Sequence, residues 1–535
     1  MNSKNLNINQ LLPLAQKALQ YKKFNEAINL FKKIISINKN IPEIHNNLGS
    51  AYLNLNNLEE AKKFFNNAIK LKPEFSVAYL NVAIVYEKIG NFKSSEENYK
   101  KSIFYDKKNI VAHYNLGNLY KDQGDLINAE KYYKLTIHLK PGMIHAYKNL
   151  FFIFNRSNQI KKLEEIISLA KDNLGNHPIV EFFQGVYDYE NKNFINVIKN
   201  FENIQINKND IGVSSIRNEL LAKSYDNIGN YNKSFECFVG ANNYISEIYK
   251  DKHKKERYID LVKKRINYFS KFKLNTWKLD FSEKIEPIFL IGFPRSGTTL
   301  LDTILRTHDS VEVIEEKPIV EEFVRSLNVE INNEFLNLEN IENNFANQMR
   351  SFYFEKRNKF IKFNHRKIYI DKLPLNFIFI AEICRFFPRA KFIFALRNPY
   401  DVILSCFMQQ FSPNDAMMNF TNLDDASYFY DLSMTLYRKY YKLFKSNIFE
   451  IKYEDVVLEF DDSIKKLLNF LNLDFKEEIK KFYETATKRG IISTPSFNQV
   501  NKQLYKNSIN RWKNYEDKFH NCKPILNKWL NEFNY

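Results

Sequence analysis

What most constrains this chain is that its first part repeats itself. Leu48, Val82, Leu116 and Leu150 follow one another at steps of 34 residues. The same step joins Gly49, Ala83 and Gly117; Tyr52, Tyr86, Tyr120 and Phe154; Ala61, Ser95 and Ala129; and Phe65, Tyr99 and Tyr133. Pro73 and Pro141, two steps apart, close two of the units. A fixed period of this length means that each unit is one supersecondary element that can bury its apolar side only against the next copy. Small residues at fixed points let the two helices of a unit approach closely, and aromatic residues fill the space towards the neighbour. Followed outward, the phase places further units near 9–42, 145–178 and 179–212 and a last one, displaced by three residues, around Asn230 and Tyr231, about seven in all.

This pattern resembles the tetratricopeptide repeat (TPR). The resemblance implies an N-terminal all-α TPR solenoid over residues 1–248, with a concave face that grips peptides or partner proteins. An array that only solubilises or dimerises the rest of the chain would carry the same pattern. From about Ile245 the phase is lost, and residues 249–286 read as a helical cap and linker. The basic run between Tyr249 and Phe272 is that of a solvated helix face.

The second half is organised around IFLIGFPRSGTTLLDTIL, Ile288 to Leu305. An apolar run predicts a buried parallel strand; a turn with Gly292 and Gly297 follows, then a helix opening at Thr298. Backbone N–H groups in such a turn can close around an anion at the positive end of the helix. The spacing is nearly that of a phosphate-binding loop of nucleotide hydrolases, but Thr298 stands where their lysine would be and Arg295 supplies the cation. That substitution points to a phosphate that is held rather than cleaved. Lys367–Asp371, Lys391–Arg397 and Ile448–Glu454 are short apolar or β-branched runs between helical patterns, which predicts a central parallel sheet of βα units with ligands beyond the carboxyl ends of its strands. In KFIFALRNPYDVILSCF, Arg397 ends a strand, Asn398 and Pro399 open a helix, and Ser405 lies two turns in; an arginine and a hydroxyl so spaced can hold one phosphate from two sides.

PRSGTTLL after a short strand resembles the 5'-phosphosulfate loop of sulfotransferases that use PAPS, 3'-phosphoadenosine 5'-phosphosulfate, and the order of the later motifs is most similar to the tyrosylprotein sulfotransferases. The resemblance runs from Ile288 to about Trp512 and implies a P-loop-like sulfotransferase domain over 287–535. It implies that Pro294, Arg295, Ser296, Gly297, Thr298 and Thr299 hold the 5'-phosphosulfate, and Arg397 and Ser405 the 3'-phosphate. Glu316, 21 residues after Arg295, falls at the interval of the family's base and would deprotonate an acceptor hydroxyl, in preference to Glu315. Lys372, directly after a strand, and Ser496 would stabilise charge on the oxygen that leaves sulfur, and Arg295 would share in this work. Lys502 corresponds to a lysine near the 3'-phosphate and Tyr453 to a tyrosine beside the nucleotide. The family's two arginines after the base are replaced here by Pro318 and Glu322, so recognition of acidic tyrosine sites through those positions is not implied.

Within 535 residues, Cys237, Cys384, Cys406 and Cys522 are scattered without ligand spacing, and His308 and His365 read as helix-end or loop residues, so neither a disulfide framework nor a metal site is expected. The net charge of +17 is dispersed over helical faces, which fits an anionic cosubstrate and acceptor rather than nucleic acid. With no apolar leader and no long apolar run, the chain reads as cytoplasmic and without a membrane span. Two rivals remain: a P-loop kinase or NTPase, which should need Mg2+ and a loop lysine, and a TPR scaffold whose second domain is inactive. Protein tyrosine, polysaccharide, lipid-linked sugar and small metabolite are all open as acceptor.

Overall fold

The computed structural model describes residues 7–157, 159–205, 210–272, 286–330, 338, 341–488, 504, 506 and 508–535. Two compact units are formed, Met1–Tyr187 and Asp188–Tyr535. No described helix is long and apolar enough to cross a membrane.

In the first unit helices follow one another in pairs: Ile8–Gln20 with Phe24–Ile37, Pro42–Asn54 with Leu58–Leu71, Ser76–Ile89 with Phe92–Tyr105, Ile110–Asp122 with Leu126–Leu139, and Ile144–Arg156 with Ile160–Leu174. The repeat residues explain the pairing. A Cβ built on Gly49 would lie 2.7 Å from the Phe65 ring, and one on Gly117 would lie 2.9 Å from the Tyr133 ring, so the aromatic of each second helix rests directly on the backbone of the first. Second helices open on a repeated cap: Asn57, Asn91 and Asp125, also 34 residues apart, accept from the backbone N–H groups of Glu60, Ser94 and Asn128. His45 and His113 sit in equivalent places, and each bonds through Nε2 to a carbonyl six residues earlier, Lys39 at 2.8 Å and Lys107 at 3.1 Å. These histidines hold the entry to a helix.

The second unit is built on a five-stranded parallel sheet: β1 (Ile288–Gly292), β2 (Val311–Glu315), β3 (Ile368–Lys372), β4 (Lys391–Leu396) and β5 (Ile448–Lys452), in the order β2-β3-β1-β4-β5. Four strands lie where the sequence predicts them, and β2 is an addition. Alternate residues face opposite layers. Phe289, Ile291, Phe392 and Phe394 enter one core, while Leu290, Ile370, Ile393 and Ala395 enter the other. The helices Thr298–Arg306 and Phe460–Leu471 cover the second layer. The first layer takes Leu423–Phe444 together with Ala222, Phe238, Ile259 and Val262 from Ile211–Asn227, Tyr231–Tyr249 and Lys255–Phe269. Helices that continue the repeat phase in sequence are therefore part of this unit's core. Arg265 and Glu382 form a fully buried ion pair there, and Asn242 Nδ2 donates to the Phe407 carbonyl at 2.9 Å.

If Gly117 is required for contact with Tyr133, Gly117→Val in the full chain should destabilise the array by about 1–3 kcal/mol through overpacking. Gly117→Ala should cost much less, because alanine's helix propensity offsets part of the overlap and Ala83 already occupies the equivalent place. Urea unfolding followed by circular dichroism distinguishes the two; equal losses would contradict the packing account.

Candidate active site

The turn after β1 forms a cradle packed tightly against its neighbours at both of its glycines. Gly292 must lack a side chain, because its Cβ would lie 2.6 Å from the Ala395 carbonyl oxygen on β4 and 2.8 Å from Ser296 Oγ. Gly297, at φ +99°, caps the helix Thr298–Arg306, and its Cβ would strike the Tyr453 ring at 2.8 Å. Arg295 and Glu316 adopt positive φ, 69° and 49°, a strain that surrounding structure must impose on non-glycine residues and that often marks a functional turn. Cys406 lies beneath the cradle, its Sγ 3.3 Å from the Pro294 carbonyl oxygen.

The turn after β4 meets this cradle. Arg397 Nη1 donates to the Arg295 carbonyl at 3.1 Å and Nη2 to the Ser508 carbonyl at 2.7 Å, while Arg295 Nε donates to Ser405 Oγ at 2.9 Å. Asn398 caps the helix Pro399–Phe407, which carries Ser405, by accepting from the Tyr400 N–H. The Arg397 guanidinium stacks 4.8 Å from the Tyr453 ring, so Tyr453 touches both turns.

Glu316 and Lys372 come together from the ends of adjacent strands. The Glu316 N–H extends the β2–β3 ladder by donating to the Lys372 carbonyl at 2.8 Å, and the Lys372 ammonium, fully buried, lies 2.7 Å from Glu316 Oε1. Glu315 is 3.9 Å from the same ammonium and nearly buried, and of the two glutamates only Glu316 reaches the cavity. A cavity of about 650 Å³ lies against the two turns and Glu316, and Lys372, fully buried, reaches it only through its contact with Glu316. Pro294, Arg295, Gly297, Thr298, Thr299, Arg397, Ser405 and Tyr453 line one part, with Glu316 beside them. Ser296 stands behind the wall, its buried Oγ without a hydrogen-bond partner among the described residues. Ser496 and Lys502 lie outside the described residues. Further cavity walls went unnoticed in the sequence: His253, Tyr258, Glu321, Arg325 and Arg511. They belong to no motif and meet only because separate elements pack together.

Beside Lys372, Asp371 faces the opposite layer. It is buried, and its Oδ2 accepts from the Tyr353 hydroxyl at 3.2 Å. Burial pushes its carboxyl up to about 7, against smaller opposing effects from Tyr353 and Arg357. Among the described residues no group of three or more histidines, cysteines or carboxylates could hold a metal ion, and all four cysteines are free.

A parallel α/β unit with a glycine-flanked turn beside its central strand, where strand order reverses, is the architecture in which such sheets hold anionic ligands. Residues 287–477 match the sulfotransferase family, and residues 42–75 and 110–142 match tetratricopeptide repeats, so the chain joins a TPR array to a sulfotransferase-family domain. An uncharacterised protein of Aquifex aeolicus is 27% identical over 307 residues, which are 56% of this chain but only 39% of that protein. A Caenorhabditis briggsae protein, provisionally named a protein-tyrosine sulfotransferase, is 23% identical over 233 residues, 42% of this chain and 80% of its own length. Among solved structures, MamA of Desulfovibrio magneticus is 22% identical, matching 32% of this chain and 96% of its own with a TM-score of 0.28. PilF of Pseudomonas aeruginosa is 16% identical, over 39% and 92%, with a TM-score of 0.32.

Asp371 makes a testable contribution to stability. Its folded-state pKa lies above the unfolded value, so between about pH 4 and 7 the folded state holds one extra proton, and stability falls as pH rises, by about 1.4 kcal/mol per pH unit for this group. Asp371→Asn should remove that slope and leave the variant the more stable protein at pH 8. Urea unfolding at pH 5, 6, 7 and 8 checks it; parallel curves for the two proteins would rule out a buried, proton-holding Asp371.

Proposed function

We propose that the sulfotransferase-family domain transfers a sulfuryl group from PAPS to a hydroxyl acceptor. The observation that carries this reading is the meeting of Arg295 with Arg397 and Ser405, residues at least 102 positions apart that share hydrogen bonds of 2.9 and 3.1 Å. Two anion-binding turns so joined suit the two ends of a doubly phosphorylated nucleotide. One unfilled donor supports the fit: Arg397 lines the cavity and its buried Nε has no hydrogen-bond partner among the described residues. The cavity volume is of the size, about 300–1,000 Å³, that small-molecule sites commonly have.

In this reading the 5'-phosphosulfate lies on Pro294–Thr299 and the 3'-phosphate on Arg397 and Ser405. Glu316 takes the proton of the acceptor hydroxyl as its oxygen bonds to sulfur. The bond from sulfur to the 5'-phosphate oxygen breaks, and 3',5'-ADP leaves. Lys372 donates to that oxygen as charge builds on it. Its ammonium is already buried beside the base, so turning to the leaving oxygen requires no fresh desolvation. Arg295, fixed through Ser405, contributes positive charge at the same point. As acceptor, a protein or peptide tyrosine presented with the help of the repeat array is supported by the TPR matches and by the nematode relative's provisional name.

Calorimetric titration should find 3',5'-ADP binding without Mg2+ and more tightly than ATP with Mg2+. Arg295→Ala should weaken 3',5'-ADP by about 10- to 100-fold, the worth of a charge-assisted phosphate contact. Glu316→Gln should bind as the wild type does and transfer labelled sulfate from PAPS to a mixed panel of phenols, sugars and tyrosyl peptides about 10²- to 10⁴-fold more slowly. Preference for ATP with Mg2+ would favour a kinase or NTPase instead.

A further inference from the structure

The helix Lys255–Phe269 brings Tyr258 to the cavity from outside the stretch that matches the sulfotransferase family. Its ring is seated edge-on against the buried Phe429, with centroids 5.5 Å apart. Tyrosine hydroxyls drawn into a protein ordinarily find a hydrogen-bond partner, yet this one, on a half-buried side chain that lines the cavity, has none among the described residues. Burial first, and then the neighbouring Glu321 carboxylate, push its pKa well up, so the hydroxyl keeps its proton and can always donate. Glu321 follows Glu316 closely in the chain, and Arg325 stands one turn further along the helix Ile319–Glu330. Both line the same cavity, and neither forms a hydrogen bond or a salt bridge among the described residues. The adjacent Glu322 differs, since it pairs with Lys356 at 2.6 Å. Two helices thus supply this part of the cavity with two uncommitted donors and one uncommitted acceptor.

We propose that Tyr258, Glu321 and Arg325 select a peptidyl tyrosine by its backbone: the Tyr258 hydroxyl and the Arg325 guanidinium donate to carbonyl oxygens beside the acceptor residue, and the Glu321 carboxylate accepts from an amide N–H. This deepens the acceptor reading given above and rests on it. An amide offers one strong acceptor and one strong donor, and this set of groups complements both. Leu373, Leu375, Phe411 and Met417 also line the cavity, apolar surface that takes a phenolic ring and leaves the ring hydroxyls of a sugar without partners. In this arrangement the phenol oxygen meets Glu316, while the amides at the other end of the same residue meet Tyr258 and Glu321. A simple phenol filling the cavity would shut water from the Tyr258 hydroxyl without replacing it. A site built around a hydrogen bond rejects in this way a ligand that lacks the partner.

The test compares, on the full chain, N-acetyl-tyrosinamide, which carries an amide on each side, with p-cresol, which has the ring and hydroxyl alone. Calorimetry on protein saturated with 3',5'-ADP should find N-acetyl-tyrosinamide bound about 10-fold or more tighter than p-cresol. Tyr258→Phe should lower that affinity, and kcat/KM for sulfate transfer to N-acetyl-tyrosinamide from PAPS, by about 3- to 10-fold, with p-cresol and 3',5'-ADP bound as by the wild type. Glu321→Gln and Arg325→Gln, at exposed positions that tolerate replacement, should each show the same pattern. Equal losses for both phenols would mean that Tyr258 only shapes the cavity, and lost 3',5'-ADP affinity would mean that it serves the nucleotide; either overturns the proposal. So would unchanged handling of N-acetyl-tyrosinamide by Tyr258→Phe, or a wild type that binds it no better than p-cresol. A wild type that does not bind 3',5'-ADP would instead remove the PAPS reading itself, and this proposal with it.

Discussion

The second unit depends on the contact between β1 and β4. Gly292 pairs with Ala395 in register, and only a residue without a side chain can lie there, so the two strands end side by side with their following turns touching. Strand order makes this the reversal point of the sheet: the chain leaves β1 for β2 and β3 on one side and returns to β4 and β5 on the other. Turns that diverge at this point leave a crevice between them, and each opens a helix whose N-terminus adds positive charge. Cradle, arginine pair and cavity all follow from that one crossing.

Tyr453 extends the same logic to the third turn. It follows β5, packs on Gly297 and lies under the Arg397 guanidinium. A larger residue at 297 would push the ring away from the cradle and take the stacking surface from Arg397. The glycine therefore serves the fit of three chain segments as much as the backbone of one.

Much of this was legible in the sequence because it is local. A strand end, a glycine-flanked turn and a helix cap are each specified within a few residues, as are Arg397, Asn398 and Ser405. The repeats were legible for a different reason: the contact of Gly49 with Phe65 recurs as Gly117 with Tyr133, so the same physical requirement is written more than once. β2 was not, because five residues with glutamates at Glu312 and Glu315 resemble a polar loop until β3 pairs with them. Tyr258, Arg325 and Arg511 could not be read at all, since their place depends on how distant helices pack around the sheet. Arg265 and Glu382, a buried pair joining Lys255–Phe269 to the sheet unit, illustrate the kind of contact that sets such positions and leaves no periodic trace.

The sheet also separates the proposed reaction into two sides. In that proposal the residues assigned to the nucleotide come from the ends of β1, β4 and β5, whereas Glu316 and Lys372 come from β2 and β3, held in register by the pairing of Glu315 with Lys372. The proposal then has the acceptor approach over the β2–β3 side, where the cavity wall includes Leu373, Leu375, Glu321, Arg325 and Tyr258. Tyr258 belongs to Lys255–Phe269, outside the stretch that matches the sulfotransferase family. On that proposal the nucleotide side is made mostly of elements within that stretch, and the acceptor side partly of a helix that precedes it in sequence. On the same proposal, changes in that helix would alter which hydroxyl reaches Glu316 while leaving the cradle untouched, one way for a single fold to serve acceptors of different shape.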